Sequence, residues 1–273
     1  MTQIADLHTH STASDGQYTP SELAEKVKAR GIEVWALTDH DTMDGIAEAE
    51  RAAQALGIRF IRGVELSAKE YHTFHILGYG YREGDTPLAA FCRDMKRKRG
   101  KRETKIIAYL NSFGFELTEA EVEALAGGQI IGRPHFAQAM VERGYVANRR
   151  EAFDQYLDTD DYHKRVETEK PGVRECIAAI KSSGGIVSLA HPYQIGIGDA
   201  ALDRLVGELK EIGLDAIECH YPKFTPEMTA LYLKLAEKYR LHVTGGSDFH
   251  GERVKPDVEL AAWEMDAAWI KGA

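Results

Sequence analysis

Ile4-Ala5-Asp6-Leu7-His8-Thr9-His10 reads as a short apolar strand over Ile4–His8 that runs straight into a second imidazole. In an extended segment, residues two apart point to the same side. His8 and His10 can therefore reach one ion together. Taken alone, the pair is as compatible with a structural role as with ligation.

The same design recurs along the chain. Further strands are predicted at Val34–Thr38, Arg59–Leu66, Phe74–Tyr79, Ile186–Ala190, Ala216–Cys219 and Leu241–Thr244. Asp39, His40 and Asp41 follow the second strand, and Glu65 closes the third. His75 lies in the fourth, while His191 and His220 close the fifth and sixth. Asp248 and His250 follow the seventh. Helices fill most gaps. Thr19-Pro20-Ser21-Glu22 is a capping box with Pro20 at the first helical position, and Gly31 ends that helix. Asp44–Leu56, Val173–Ser183, Ala200–Ile212 and Pro226–Tyr239 carry helical patterns, the last capped by Thr225. Alternating strands and helices argue for an α/β fold with a parallel sheet, open or closed. If the sheet closes, the C-terminal strand ends meet at one face, where such barrels place their chemistry.

Imidazoles mixed with carboxylates suit zinc, manganese or iron without choosing among them. A carboxylate bridging two ions is a common device in phosphoryl hydrolysis. A single histidine at a strand end is usually structural, but chance rarely places His, Asp or Glu at five strand ends in succession. His72, His163 and His242 are left outside the set, His72 because its strand parity opposes that of His75.

The alternation stops between residues 84 and 170. Thr86-Pro87 opens a long helix through Asn111, and Thr118–Ala126, Pro134–Arg143 and Arg149–Leu157 look helical too. The expected organisation is a barrel of residues 1–83 and 171–273 interrupted by a helical insertion of residues 84–170. Eight cations between Arg93 and Lys105 crowd one of its helices. They form either a solvated face or a funnel for polyanions.

The 273 residues fit one barrel, with 28% charged residues and a formal net charge of −9 that argues against general coating of nucleic acid. Three widely separated cysteines form no CxxC, which points to a reducing, cytoplasmic setting. Neither a signal peptide nor a membrane span is expected.

Asp6-Leu7-His8-Thr9-His10-Ser11-Thr12, Thr38-Asp39-His40-Asp41-Thr42, Gly63-Val64-Glu65-Leu66-Ser67 and Ser247-Asp248-Phe249-His250-Gly251 resemble the motifs of the PHP (polymerase and histidinol phosphatase) family, in the same order. The resemblance runs from residue 4 to about residue 251. It implies a distorted (β/α)7 TIM-like barrel and two or three divalent ions (Mn, Zn or Fe). On that pattern, His8, His10, Glu65 and Asp248 hold the first ion. Glu65 bridges to a second, held also by His75 and His191. Asp15, His40 and His250 hold a third, with Asp15 standing where many members carry histidine. The expected nucleophile is a metal-bridging hydroxide, with Asp39 orienting His40.

The insertion resembles that of stand-alone members acting on nucleoside 3′,5′-bisphosphates or on the 5′ ends of short RNAs. Ile131-Gly132-Arg133-Pro134-His135-Phe136-Ala137 carries that likeness. An arginine fork with Pro134 at the first helical position would suit a second phosphate. Arg133 and His135 could instead pin the insertion. His220 is a third candidate for substrate contact, or a structural residue. Competing readings are a histidinol-phosphate phosphatase, an amidohydrolase and a non-catalytic PHP module. A missing bridging lysine speaks against the amidohydrolase, and the full ligand set against the inert module.

Overall fold

The computed structural model describes residues 2–71, 73–126, 131–166 and 170–271; His72 lies outside them. The chain forms two compact units: residues 1–93 with 170–273, and residues 94–169.

The first unit is a barrel. Its strands are β1 (Gln3–Asp6), β2 (Val34–Leu37), β3 (Arg59–Ala68), β4 (Phe74–Tyr79), β5 (Ile186–Leu189), β6 (Ala216–His220), β7 (His242–Gly245) and β8 (Trp263–Met265). The sheet order is β7-β6-β5-β4-β3-β2-β1-β8. β1, β2 and β3 run parallel to one another, as do β5, β6 and β7. Beyond the named strands, Leu7 N donates to Gly245 O at 3.1 Å and Asp248 N to His8 O at 2.7 Å. These bonds draw the ends of β1 and β7 together and nearly close the ring at the face that carries His8.

Two features depart from an all-parallel barrel. β4 runs antiparallel to both β3 and β5. The five residues between β3 and β4 are too few for a crossover, so the chain can only turn back on itself. The start of β4, and with it His75, thereby lies at the same face as the C-terminal ends of β3 and β5. The second departure is β8, a short antiparallel strand on β1 that is absent from the seven predicted strands.

Side-chain alternation explains the layering. Val34 and Ala36 join Leu7, Ile61, Leu77 and Tyr79 in one buried cluster, the barrel interior. Trp35 and Leu37, of opposite parity, pack with residues of α1 (Pro20–Ala29) and α2 (Ile46–Leu56) outside it. Thr19 caps α1 as predicted, with its side chain accepting from Glu22 N. α3 (Pro87–Asn111) follows β4, and its first residues belong to this unit.

The second unit is helical. After α3 come α4 (Glu119–Ala126), α5 (Arg133–Glu142), α6 (Arg149–Ala152), a π turn over Phe153–Leu157, and α7 (Asp160–Val166). Its own core includes Leu110, Val122, Phe136, Met140 and Leu157. α5 begins one residue earlier than the sequence pattern predicts, so Arg133 rather than Pro134 takes the first helical position. The chain re-enters the first unit with α8 (Val173–Ser182), and α9 (Asp199–Glu211) and α10 (Pro226–Tyr239) then follow β5 and β6.

Candidate metal centre

Strand ends build the cluster. Asp41, His191 and Asp248 stand just past β2, β5 and β7 with φ values of 54°, 23° and 56°. Such backbone is sparsely populated for residues with a Cβ and tends to gather where function demands it. Gly246 permits a close approach: a Cβ there would stand 2.1 Å from His8 Cβ, so only glycine lets β7 pass the first histidine.

Three overlapping groups result. His8, His10, Glu65 and Asp248 form one; His40, Glu65 and His75 another; His10, Asp15, His40 and His250 the third. Within each, one ligand atom per residue lies within 4.8 Å of the others. Glu65 is the hub. Its Oε2 is 3.2 Å from both His8 Nε2 and His10 Nε2, and 3.1 Å from His40 Nδ1. Its Oε1 is 2.9 Å from His75 Nδ1 and 2.8 Å from His191 Nε2. Against the sets the resemblance implies, His10 joins the third group and His40 takes the place of His191 in the second. His191 sits against Glu65 without completing a group.

The electrostatics follow from burial and charge. Burial works against ionisation of Glu65, but His40, His8 and His75 hold its carboxyl well below the usual range. Burial opposes a charged Asp248 too, and His250, His8 and Lys255 outweigh it. Burial pushes the His10 imidazole down, yet Asp248 and Glu65 raise it to about 9.

The fit to metal can be judged from unsatisfied atoms. Buried polar atoms are nearly always paired. Among the described residues, His8 Nε2, His10 Nε2, His40 Nδ1, His191 Nδ1 and Glu65 Oε2 are buried without a hydrogen-bond partner. All five belong to this cluster, and the one other such atom among the described residues is Arg62 Nε. His191 meets Glu65 through Nε2, so its Nδ1 faces away from that carboxylate, while the other four atoms converge. Nitrogen and carboxylate donors so placed suit divalent cations of the manganese, iron or zinc kind. The residues present fit the ions.

Surrounding groups hold the donors in place. Glu218, fully buried, lies 3.1 Å from His8 Nδ1 and accepts from His191 N at 2.7 Å. A carboxylate behind a histidine fixes which ring nitrogen faces the metal. Trp35 Nε1 donates to Thr9 Oγ1 at 2.8 Å, securing the residue between the two histidines. The side-chain hydrogen bonds of Asp39 run to the segment after β1. Its carboxylate accepts from Ser11 N at 2.8 Å, Ser11 Oγ at 2.7 Å and Ser14 Oγ, and so shapes the loop that carries Asp15.

The three substrate candidates are not members of these groups. His220 stacks on Trp263 at 6.4 Å between ring centres, because a bulge between Glu218 and His220 breaks the strand's alternation. Arg133 donates to Asp158 Oδ1 at 2.6 Å and Leu157 O at 3.2 Å. His135 Nδ1 accepts from Gly132 N at 3.0 Å at the start of α5.

Comparison with known proteins places this geometry. The model of the PHP domain matches residues 6–170. A 5′-3′ exoribonuclease of Haemophilus influenzae is 35% identical over 251 residues, 92% of this chain and 91% of its own. A 3′,5′-nucleoside bisphosphate phosphatase of Chromobacterium violaceum is 32% identical over 247 residues, covering 90% and 86%. A phosphoribosyl 1,2-cyclic phosphate 1,2-diphosphodiesterase of Eggerthella lenta is 32% identical over 253 residues, covering 91% and 95%. The crystal structure of a Bifidobacterium adolescentis protein assigned as a metal-dependent phosphoesterase superposes with a TM-score of 0.77 at 31% identity, covering 97% and 93%. With its histidines and carboxylates gathered at one mouth of a TIM-like barrel, the chain belongs to the PHP domain family and is a metal-dependent hydrolase of phosphate esters.

Proposed function

We propose that the substrates are nucleotides, and that the preferred one is a nucleoside 3′,5′-bisphosphate, cleaved to inorganic phosphate and a 5′-mononucleotide. The identity to the C. violaceum phosphatase across nine-tenths of the chain carries this reading. The H. influenzae relative favours a second one, release of the terminal nucleotide from short 5′-phosphorylated RNA. Arg133 lends the bisphosphate no separate support, since Asp158 and Leu157 already engage its guanidinium.

In this proposal the three groups hold two or three divalent ions, Mn, Zn or Fe. His8, His10, Glu65 and Asp248 form the first set, His40, Glu65 and His75 the second, and His10, Asp15, His40 and His250 the third. Bound ions would neutralise phosphoryl charge and acidify water. The chain's own part is to present the donors ready-made. Glu65 offers its two oxygens to different imidazoles, and Glu218 and Asp39 fix His8 and the Asp15 loop without taking a place among the donors. No helix among the described residues is long and apolar enough to cross a membrane. The three cysteines are buried and unpaired, which suits the cytoplasm as the place of reaction.

The test is a panel assayed with Mn²⁺-loaded protein: a nucleoside 3′,5′-bisphosphate, a short 5′-phosphorylated RNA, a cyclic phosphodiester and histidinol phosphate. The bisphosphate should lead in kcat/KM by about tenfold or more, which is a difference in transition-state binding. A lead for histidinol phosphate or for the cyclic diester would overturn the proposal.

A further inference from the structure

The two oxygens of Asp248 face different surroundings. Oδ1 looks into the cluster, 3.6 Å from His8 Nε2 and 3.3 Å from His10 Nε2 and His250 Nδ1. Oδ2 looks away and accepts from two donors, Lys255 Nζ at 2.7 Å and the Tyr221 hydroxyl at 3.0 Å.

The two donors are not equivalent. Tyr221 is buried at 5% exposure, and its hydroxyl also accepts from the Gln194 side chain at 3.2 Å. That is a complete structural assignment for a buried phenol. Lys255 leaves a third of its side chain exposed. Its ammonium carries three donors, and Asp248 engages one of them. Tyr221 already anchors the same oxygen, and holding Asp248 occupies only one of the ammonium's donors. The position of Lys255 sets a partly exposed positive charge in the segment after β7, one carboxylate away from His8, His10 and His250. A doubly charged phosphoryl group approaching those donors passes beside Glu65, Asp248 and Asp15, where a cation lowers the electrostatic cost.

We propose that Lys255 is a substrate-contacting residue: while anchored to Asp248, its ammonium donates to a non-bridging oxygen of the ester's phosphoryl group. This follows from phosphoester hydrolysis itself and is independent of whether the ester is a nucleotide.

The experiment titrates inorganic phosphate, the shared product, into Mn²⁺-loaded protein by calorimetry, and separately titrates Mn²⁺ into metal-free protein. Lys255→Met should weaken phosphate binding by about tenfold or more while Mn²⁺ affinity stays within about twofold, and Lys255→Arg should restore most of the loss. Tyr221→Phe, which removes the other donor to the same oxygen and no charge, should leave phosphate affinity close to the parent's. Unchanged phosphate binding in Lys255→Met would overturn the proposal. So would a loss of Mn²⁺ affinity large enough to account for the loss of phosphate, because Lys255 would then serve only Asp248. If Lys255→Met fails to fold, Lys255→Gln decides by the same two titrations.

Discussion

His8 can turn Nε2 toward Glu65 and Asp248 because its other nitrogen is taken by Glu218. Glu218 also receives the backbone N–H of His191, whose φ of 23° needs support. One buried carboxylate thus fixes two histidines on two strands. Replacing it with glutamine keeps the shape but removes the charge behind His8. Mn²⁺ affinity of Glu218→Gln should fall by about 10- to 100-fold, read by calorimetric titration against an unchanged circular dichroism spectrum. Parent-like affinity would show that Glu218 does not govern His8. The candidate donors that converge here are readable in the sequence, because chance seldom sets His, Asp and Glu at the ends of successive strands. Their supports are harder to read. Glu218 sits inside Ala216-Ile217-Glu218-Cys219, and an acid within so apolar a strand is the signal that could have exposed it. The partners of Asp39 are not readable, since Ser11 and Ser14 reach it only once the loop after β1 has folded back.

At the level of elements, β2 and the end of β1 are coupled through Trp35. Its indole faces the helices, yet its N–H reaches Thr9 Oγ1, which in turn donates to Ala36 O at 2.9 Å. Trp35→Phe retains most of the apolar contact and deletes the donor. It should destabilise the protein by about 1–3 kcal/mol, measured by denaturant unfolding. A parent-like midpoint would mean that the bond does not hold the histidine strand. The capping box of α1 and the strands β1 to β7 follow from local patterns, and so are readable. The direction of β4 does not emerge from those patterns, although the five-residue link after β3 already excludes a crossover. β8 carries just three residues, Trp263–Met265, too short for alternation to declare a strand. His220 is a case where parity misleads, because a bulge shifts the register at that point.

Across the whole molecule, the barrel concentrates the chemistry and the helical unit has a core and polar ties of its own. Arg133 lies 5.7 Å from the Phe153 ring and 6.0 Å from that of Tyr162, besides its bonds to Asp158 and Leu157. Within its own unit it therefore links α5 to the π turn and α7. Part of the basic run on α3 is neutralised locally: Arg97 and Lys98 both pair with Asp94, and Arg93 pairs with Asp85. Composition shows that cations crowd this helix, but their local partners appear only in three dimensions. The central claim, that the converging imidazoles and carboxylates hold the ions on which hydrolysis depends, belongs to this scale. Its most direct test strips the protein with a chelator, verifies removal by elemental analysis, and follows phosphate release as Mn²⁺ is restored. The metal-free protein should be inactive, and activity should return as two or more equivalents of Mn²⁺ per chain bind, since the three donor groups are linked in pairs through Glu65, His10 and His40. Phosphate release that persists in protein shown to be metal-free would contradict the account.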